Sequence, residues 1–350
     1  MVKLIFIVTI SLMLQACSSV AYYWEKVQGH TEILEKQRPV QEVIDSPDTK
    51  AQIRERLKNV QQARNFASDK LLLPENDSYR YYADIGRDYV VWTVVATPPY
   101  SMKPKQWCFL IVGCLSYRGY FSKQSAEEFA AELKKKNMDV YVAGTKAYST
   151  LGWFDDPLLN TMLYKSEAYR VGIIFHELAH QKMYVEDDTA FNEAFASAVE
   201  KQGVKEWFVQ QKNANKFEKY ILSKKRDDQF KKLLLDTRKN LEKLYTKKIS
   251  IDLMQVEKKS LFKQLRENYN KFKIRWHGYT GFDKWMSNNL NNSHLALVAT
   301  YNNLIPAFDG LFKASGDNFK VFYEKVNELK DMEYTKRHKK LMNYVDSKDI

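Results

Sequence analysis

The segment VGIIFHELAHQKMY, Val171 to Tyr184, places two histidines and a glutamate inside a run that is otherwise mostly apolar. Ile173, Ile174, Phe175, Leu178 and Ala179 belong in a core, and a core admits polar side chains only when something pairs with them. Whatever fold this chain adopts must therefore bring a partner to His176, Glu177 and His180. On a helix, residues four apart share one face, so both imidazoles can grip one ion. Glu177, about 100° further round the axis than His176, reaches a water on that ion. The pattern HExxH suits zinc, which lowers the pKa of a bound water to about 7, so that a neighbouring carboxylate can take its proton and leave a hydroxide nucleophile. These residues predict metal-assisted hydrolysis, most naturally of a peptide bond, with Zn2+ as cofactor and Glu177 as general base.

A hydrolytic zinc site takes three protein ligands and leaves a fourth position open. Glu193 is the candidate third ligand. It lies in DDTAFNEAFASAVE, where Asp187, Asp188 and Thr189 are helix-start residues and Phe191, Phe195, Ala198 and Val199 make an apolar face. Two antiparallel helices joined by a turn would set it opposite the histidines. The run NEAFASAVE resembles the glutamate helix of gluzincin metallopeptidases, in which Asn-Glu opens the helix that supplies the third ligand. Here 12 residues separate His180 from Glu193, fewer than in the best-known gluzincins.

Ligating histidines usually donate their second N–H to a carboxylate or carbonyl. Glu200, seven residues beyond Glu193 on the same helical face, is the candidate for that role, with Asn192 as a further supporting residue. Gluzincins commonly stabilise the reaction's oxyanion with a Tyr or His from a later segment, and Tyr301 in HLALVATYNNLIPAF is the candidate here. If the substrate's free amine is bound as well, a further carboxylate is needed, and the candidates are Asp155, Asp156 and Glu200. Either MDVYVAG or AYSTLGWF could be the strand edge along which substrate aligns, with Trp153 and Phe154 lining a pocket. His30, His277, His294 and His338 have no metal spacing among them.

At the N-terminus, Lys3 is followed by the apolar run Leu4 to Leu14 and then Gln15, Ala16 and Cys17. A spanning helix needs about 20 apolar residues, so this run predicts a signal peptide over residues 1–16. LQAC resembles a bacterial lipobox, which implies that Cys17 is lipidated and tethers the mature chain to a membrane. In Gram-negative lipoproteins, Ser18 rather than Asp at the next position is what outer-membrane sorting looks like. Cys108 and Cys114, six residues apart in an exported protein, permit a disulfide stapling a hairpin that turns at Gly113; two buried thiols are the other reading.

Net charge is +12, and residues 201 to 275 carry all of it, with 22 Lys+Arg against 9 Asp+Glu. Nothing there resembles a nucleic-acid-binding motif, so nucleic acid is not an expected partner. Residues 204–275 show heptad-like apolar spacing, including Phe230, Leu233, Leu234, Leu241 and Leu244, with lysines between. They predict a basic helical arm, and anionic lipid or lipopolysaccharide is its candidate contact. Elsewhere the periodicities predict helix over 25–73 broken at Pro39 and Pro47, buried strands at Tyr89–Pro98 and WCFLIVGC, and a helix opened by a Ser125–Glu128 capping box. MDVYVAG reads as a further strand. Helices are also expected over Glu167 to about Val185, Thr189 to about Gln202, Asn292 to Phe312 and Phe319 to Met342.

SYRYYADIGRDYVVW, WCFLIVGCLSYRGYF, AYSTLGWFDDPLL, FHELAHQ and DTAFNEAFASAVE, with the lipobox, resemble the bacterial family described as putative aminopeptidases, over most of residues 20 to 310. The fold expected is helix-dominated α+β, a gluzincin-like metallopeptidase core with a small β-sheet and a long basic helical hairpin. The expected units are the signal peptide, a lipid-anchored peptidase core over 17–203, the arm over 204–275, and a C-terminal helical segment over 276–350 packing back on the core. The function implied is a zinc peptidase, an aminopeptidase by resemblance, in the outer membrane facing the periplasm. The alternative is a lipoprotein binding or assembly factor with a structural metal site and an arm for anionic envelope components.

Overall fold

A computed structural model describes residues 22–109, 113–146, 155–298 and 304–345. The fold is helix-dominated α+β. None of its described helices is long and apolar enough to cross a membrane. The first helix covers residues 22–35; the strand Gln37–Pro39 and helices Val40–Asp45 and Ala51–Asp69 follow. The breaks fall at Pro39 and around Pro47, where the proline rings remove the amide donors a continuous helix would need.

Among the described residues, three small sheets stand where a single one was expected. In the largest, Val91–Thr97 lies between Arg118–Tyr120 and Asp139–Thr145, antiparallel to both. Helix Lys123–Lys135 covers it, burying Ala126, Ala130 and Leu133 against Val94, Ala96 and Val140. Its cap is Ser122, not Ser125: the Ser122 hydroxyl accepts the Ser125 amide at 3.2 Å. A second sheet joins Gln37–Pro39, Tyr81–Ala83 and Leu158–Leu159, the last pair parallel. The third is the hairpin Trp107–Phe109 with Gly113–Leu115, in which Cys108 lies opposite Cys114 and is joined to it as a disulfide. Its strands are exposed or half-buried instead of buried. With two strands and no described third, the hairpin has only side-chain cover, Phe109 stacking on Tyr22 and Trp107 tilting against Phe129.

The main core is built on two helices. Ser166 caps Glu167–Lys182 by accepting the Tyr169 amide, and the helix ends at Lys182 because Met183 is already extended. Asp188 caps Thr189–Gln210, which runs eight residues beyond the expected end. Gly203 does not stop it: Leu71 and Phe175 occupy the space a side chain there would need, and Val204, Trp207 and Phe208 carry the buried face onward. Ile174, Phe175 and Leu178 of the first helix share this core with Phe191, Phe195 and Val199 of the second.

Ala214–Tyr245 and Ile251–Arg275 form the basic hairpin. It does not project as an appendage. Its apolar seam, with Phe230, Leu234, Leu241, Phe262 and Leu265, also takes in Met102, Met286 and Leu295 from outside the hairpin, and Lys258 reaches the Pro99 carbonyl at 2.8 Å. The tail is more broken than its periodicity suggests. Asn292–Ala296 and Ile305–Lys313 are separate helices, the latter with Pro306 in its first turn. Phe319–Lys330 and Tyr334–Met342 are likewise separate, because the Glu333 side chain caps a new start.

The tail returns to the main core: Phe308 packs edge-on to Phe191, and Phe322 stacks on Phe195. A buried ionic knot locks it there. The Asp188 carboxylate accepts the Phe191 amide, the Arg337 guanidinium at 2.8 Å and the His338 ring at 2.9 Å. Its side chain is fully buried. Removing one partner of such a pair strands the other charge without water, at a cost of about 3–5 kcal/mol. Asp188→Ala is therefore expected to lower unfolding free energy in urea by about that amount; a loss below about 1 kcal/mol, typical of an exposed pair, would show that the knot does not hold the tail.

Candidate metal centre

His176 and His180 are one turn apart, and their Nε2 atoms approach to 3.2 Å. Glu193 completes the group from the neighbouring helix, with Oε2 at 3.5 Å from His176 Nε2 and Oε1 at 3.6 Å from His180 Nε2. Taking one donor atom from each residue, all lie within 4.8 Å of one another. Two ligands at the zinc distances of about 2.0–2.2 Å and a tetrahedral angle are themselves about 3.3–3.6 Å apart; the nearest separations here, 3.2, 3.5 and 3.6 Å with the last two to different Glu193 oxygens, are close to those values. The donor set, two neutral nitrogens and one carboxylate, also suits that ion.

The connection is short but firmly held. Met183 leaves the helix extended, and Asp187 turns the chain with φ +58°. Asn192 then clips the loop: its Oδ1 accepts the Val185 amide at 2.9 Å and its Nδ2 donates to the Val185 carbonyl at 2.7 Å. Asn192 thus bonds the loop main chain and no histidine, and it fixes where the next residue, Glu193, enters the helix.

Behind the cluster, Glu200 Oε2 lies 3.3 Å from His176 Nδ1. Its Oε1 accepts from the Tyr220 hydroxyl at 3.0 Å and pairs with Lys224 Nζ at 2.7 Å. This places a carboxylate behind His176, where metal-ligating histidines commonly have one, and two donors fix it. Gly172 makes room for it: a Cβ there would stand 3.0 Å from Glu200 Oε1. Tyr220 and Lys224 come from the basic hairpin, and sequence reasoning missed them. The one signal was their own spacing of four, which puts them on a common face without saying what that face meets.

Electrostatically the group is built for positive charge. Burial works against a proton on His176, yet its bonds to Glu193 and Glu200 and the charge of Glu177 outweigh that and raise it to about 9. His180 is driven down to about 4, first by burial and then by the charge on His176. Glu193 is lowered, chiefly by its bond to His176. Glu200 falls to about 2 despite burial, through His176 and Lys224. Carboxylates on both sides of His176 thus hold a single proton where a divalent cation would satisfy every member.

One side of the group opens on a cavity of about 590 Å³. His176, Glu177 and Glu200 line it, with Tyr169 from the same helix as His176 and Tyr220 and Tyr279 from beyond. Glu177 is half-buried, and its charge raises the pKa of two phenols already raised by burial, Tyr79 and Tyr169. Among the amine-anchor candidates, Glu200 is held by His176, Tyr220 and Lys224. Asp155 is exposed and accepts the Ser78 hydroxyl at 3.4 Å, and the buried Asp156 takes the Tyr79 amide on its carbonyl; neither aspartate lines the cavity. Asp139–Thr145 contributes no described lining residue either, since Asn291 and Ser293 bond the carbonyls of its first residues. His338 serves the Asp188 knot, and His294 accepts the Asn291 amide at its own helix start. Tyr301, Trp153, Phe154 and Cys17 lie outside the described residues.

Compared with known proteins, the chain matches the model of a family described as "putative aminopeptidase" over residues 21–341. No curated protein and no solved structure matches it.

Because backing carboxylates typically contribute 10- to 100-fold to metal affinity, Glu200→Gln is expected to weaken zinc binding by about 10- to 100-fold, measured by competition with a chromophoric chelator. Unchanged affinity in a folded variant would remove Glu200 from the metal centre.

Proposed function

The chain belongs to the putative aminopeptidase family, and from that premise we propose that it is a zinc-dependent peptidase of gluzincin type. The observation that carries the reading is the convergence of His176, His180 and Glu193 beside Glu177, with His176 and Glu177 lining a cavity. In this reading His176, His180 and Glu193 hold zinc. When bound there, zinc supplies a Lewis acid for the scissile carbonyl and renders a water acidic near neutral pH.

The chain's own residues do the rest. Glu177 takes the proton of the attacking water and hands it to the leaving amine, a general acid–base role of about 10²–10⁴ in rate. Glu200 keeps His176 oriented, with Nδ1 towards its carboxylate and Nε2 towards Glu193. Tyr220 and Lys224 hold Glu200 in place. The apolar side chains of Ile173 and Phe208 on the cavity wall exclude bulk water from the reacting bond. Tyr301 remains the proposed oxyanion donor, and lipidated Cys17 the proposed tether to the outer membrane, with the body facing the periplasm.

The alternative, an assembly factor with a structural metal, requires a site closed by a fourth protein ligand. Among the described residues the cluster holds three, and the Glu193 side chain is 50% exposed. The basic hairpin is also engaged at the site: its first helix supplies Tyr220 and Lys224 and walls the cavity. Both observations favour the enzyme.

Glu177→Gln is expected to retain one zinc while losing peptide hydrolysis by about 10²-fold or more, scored on a peptide library with and without chelator. Full turnover by that variant would eliminate the mechanism. Glu193→Ala should lose both zinc and activity; zinc retained at wild-type affinity would remove Glu193 as ligand.

A further inference from the structure

Four cations line the cavity: Lys216, Lys219, Lys224 and Arg226, all from the first hairpin helix. Two are neutralised inside the protein. Lys216 pairs with Glu167 at 2.6 Å and Lys224 with Glu200 at 2.7 Å. The other two have no carboxylate within ion-pair distance among the described residues. The Arg226 guanidinium lies over the Tyr279 ring, 4.4 Å from its centroid, and its buried Nε has no hydrogen-bond partner there. A cation held over a ring can still present N–H groups beyond it, and the terminal N–H groups of a guanidinium match a carboxylate in two parallel bonds. Asp227, next in the chain and also on the wall, does not answer this charge. Burial opposes its ionisation, and the cations acting on it are Lys224 and Lys165.

We propose that Arg226 and Lys219 form a carboxylate-binding subsite, so that the preferred substrates are short peptides carrying a carboxylate close to the scissile bond. The inference rests on the peptidase reading and adds the substrate class. The cavity holds His176 and Glu177 as well as the two cations. At about 590 Å³ it falls within the usual range of small-ligand pockets, about 300–1,000 Å³, a size that suits a short peptide. The carboxylate has two sources, an acidic side chain or a free C-terminus.

Three peptides with a common N-terminal sequence separate these sources: a neutral amide, the same peptide as free acid, and an amidated peptide with aspartate in place of its last neutral residue. For the zinc-loaded protein, at least one carboxylate peptide is expected to exceed the neutral amide by about tenfold or more in kcat/KM, mainly through KM. In Arg226→Gln/Lys219→Gln that ratio should fall to within about twofold of one, and Arg226→Lys, which keeps charge but lacks the planar fork, should fall between. Which carboxylate peptide responds identifies the source. Calorimetric titration of the same peptides into the zinc-loaded Glu177→Gln protein reads the preference without turnover. Cleavage of all three at equal efficiency, with equal affinities in calorimetry, overturns the carboxylate subsite and leaves the peptidase reading intact. Carboxylate-selective binding without cleavage of any peptide by the wild-type protein overturns the peptidase reading and leaves the subsite standing.

Discussion

Two imidazoles and two carboxylates converge where the two central helices pack, and polar groups out of water are costly unless each finds a partner. Much of the surrounding architecture answers that demand. Gly172 lacks a side chain where Glu200 needs space, Tyr220 and Lys224 reach across from another element to hold Glu200, and Asn192 ties the interhelical loop so that Glu193 meets the histidines at 3.5 and 3.6 Å. The residual imbalance is a pull for positive charge at His176, which a divalent ion placed among the three donors would satisfy.

The hydrophobic core turns this local arrangement into a rigid one. Phe175 and Leu178 on one helix, and Phe191 and Phe195 on the other, are fully buried, so the faces bearing His176, His180 and Glu193 cannot slide without opening voids. The C-terminal helices lock the same pair from outside through Phe308, Phe322 and the Asp188–Arg337–His338 knot. The basic hairpin has a different part: its seam is internal, and its first helix turns a charged face towards the cavity. The cations concentrated over residues 201 to 275 thus lie partly at the site.

What could be read from the sequence followed the range of the interactions involved. The HExxH spacing is local helix geometry, and Glu193 followed from the expectation of a short connection between two helices. Glu200 was legible because seven residues is nearly two turns. Tyr220 and Lys224 were not, because their partner lies on a different helix and only tertiary packing joins them. The helix expected to end near Gln202 runs on to Gln210, because Val204, Trp207 and Phe208 find a buried surface that only the folded chain supplies. Ser122 and Ser125 both suit a helix start, and only the folded backbone decides which amide is capped. The three sheets depend on pairings such as Tyr82 with Leu158, which no local period encodes. The seam of the basic hairpin was visible in its heptads, whereas the surface the hairpin would cover was not.

The central claim is that three side chains from two helices share one zinc and leave a coordination position to water. A crystal of the zinc-loaded protein, phased for anomalous scattering at the zinc edge, tests it most directly. The account predicts one peak per chain, about 2.0–2.2 Å from Nε2 of His176, Nε2 of His180 and a carboxylate oxygen of Glu193, with a solvent oxygen as the remaining ligand. No peak between those residues, or a peak closed by a fourth protein side chain, would contradict it.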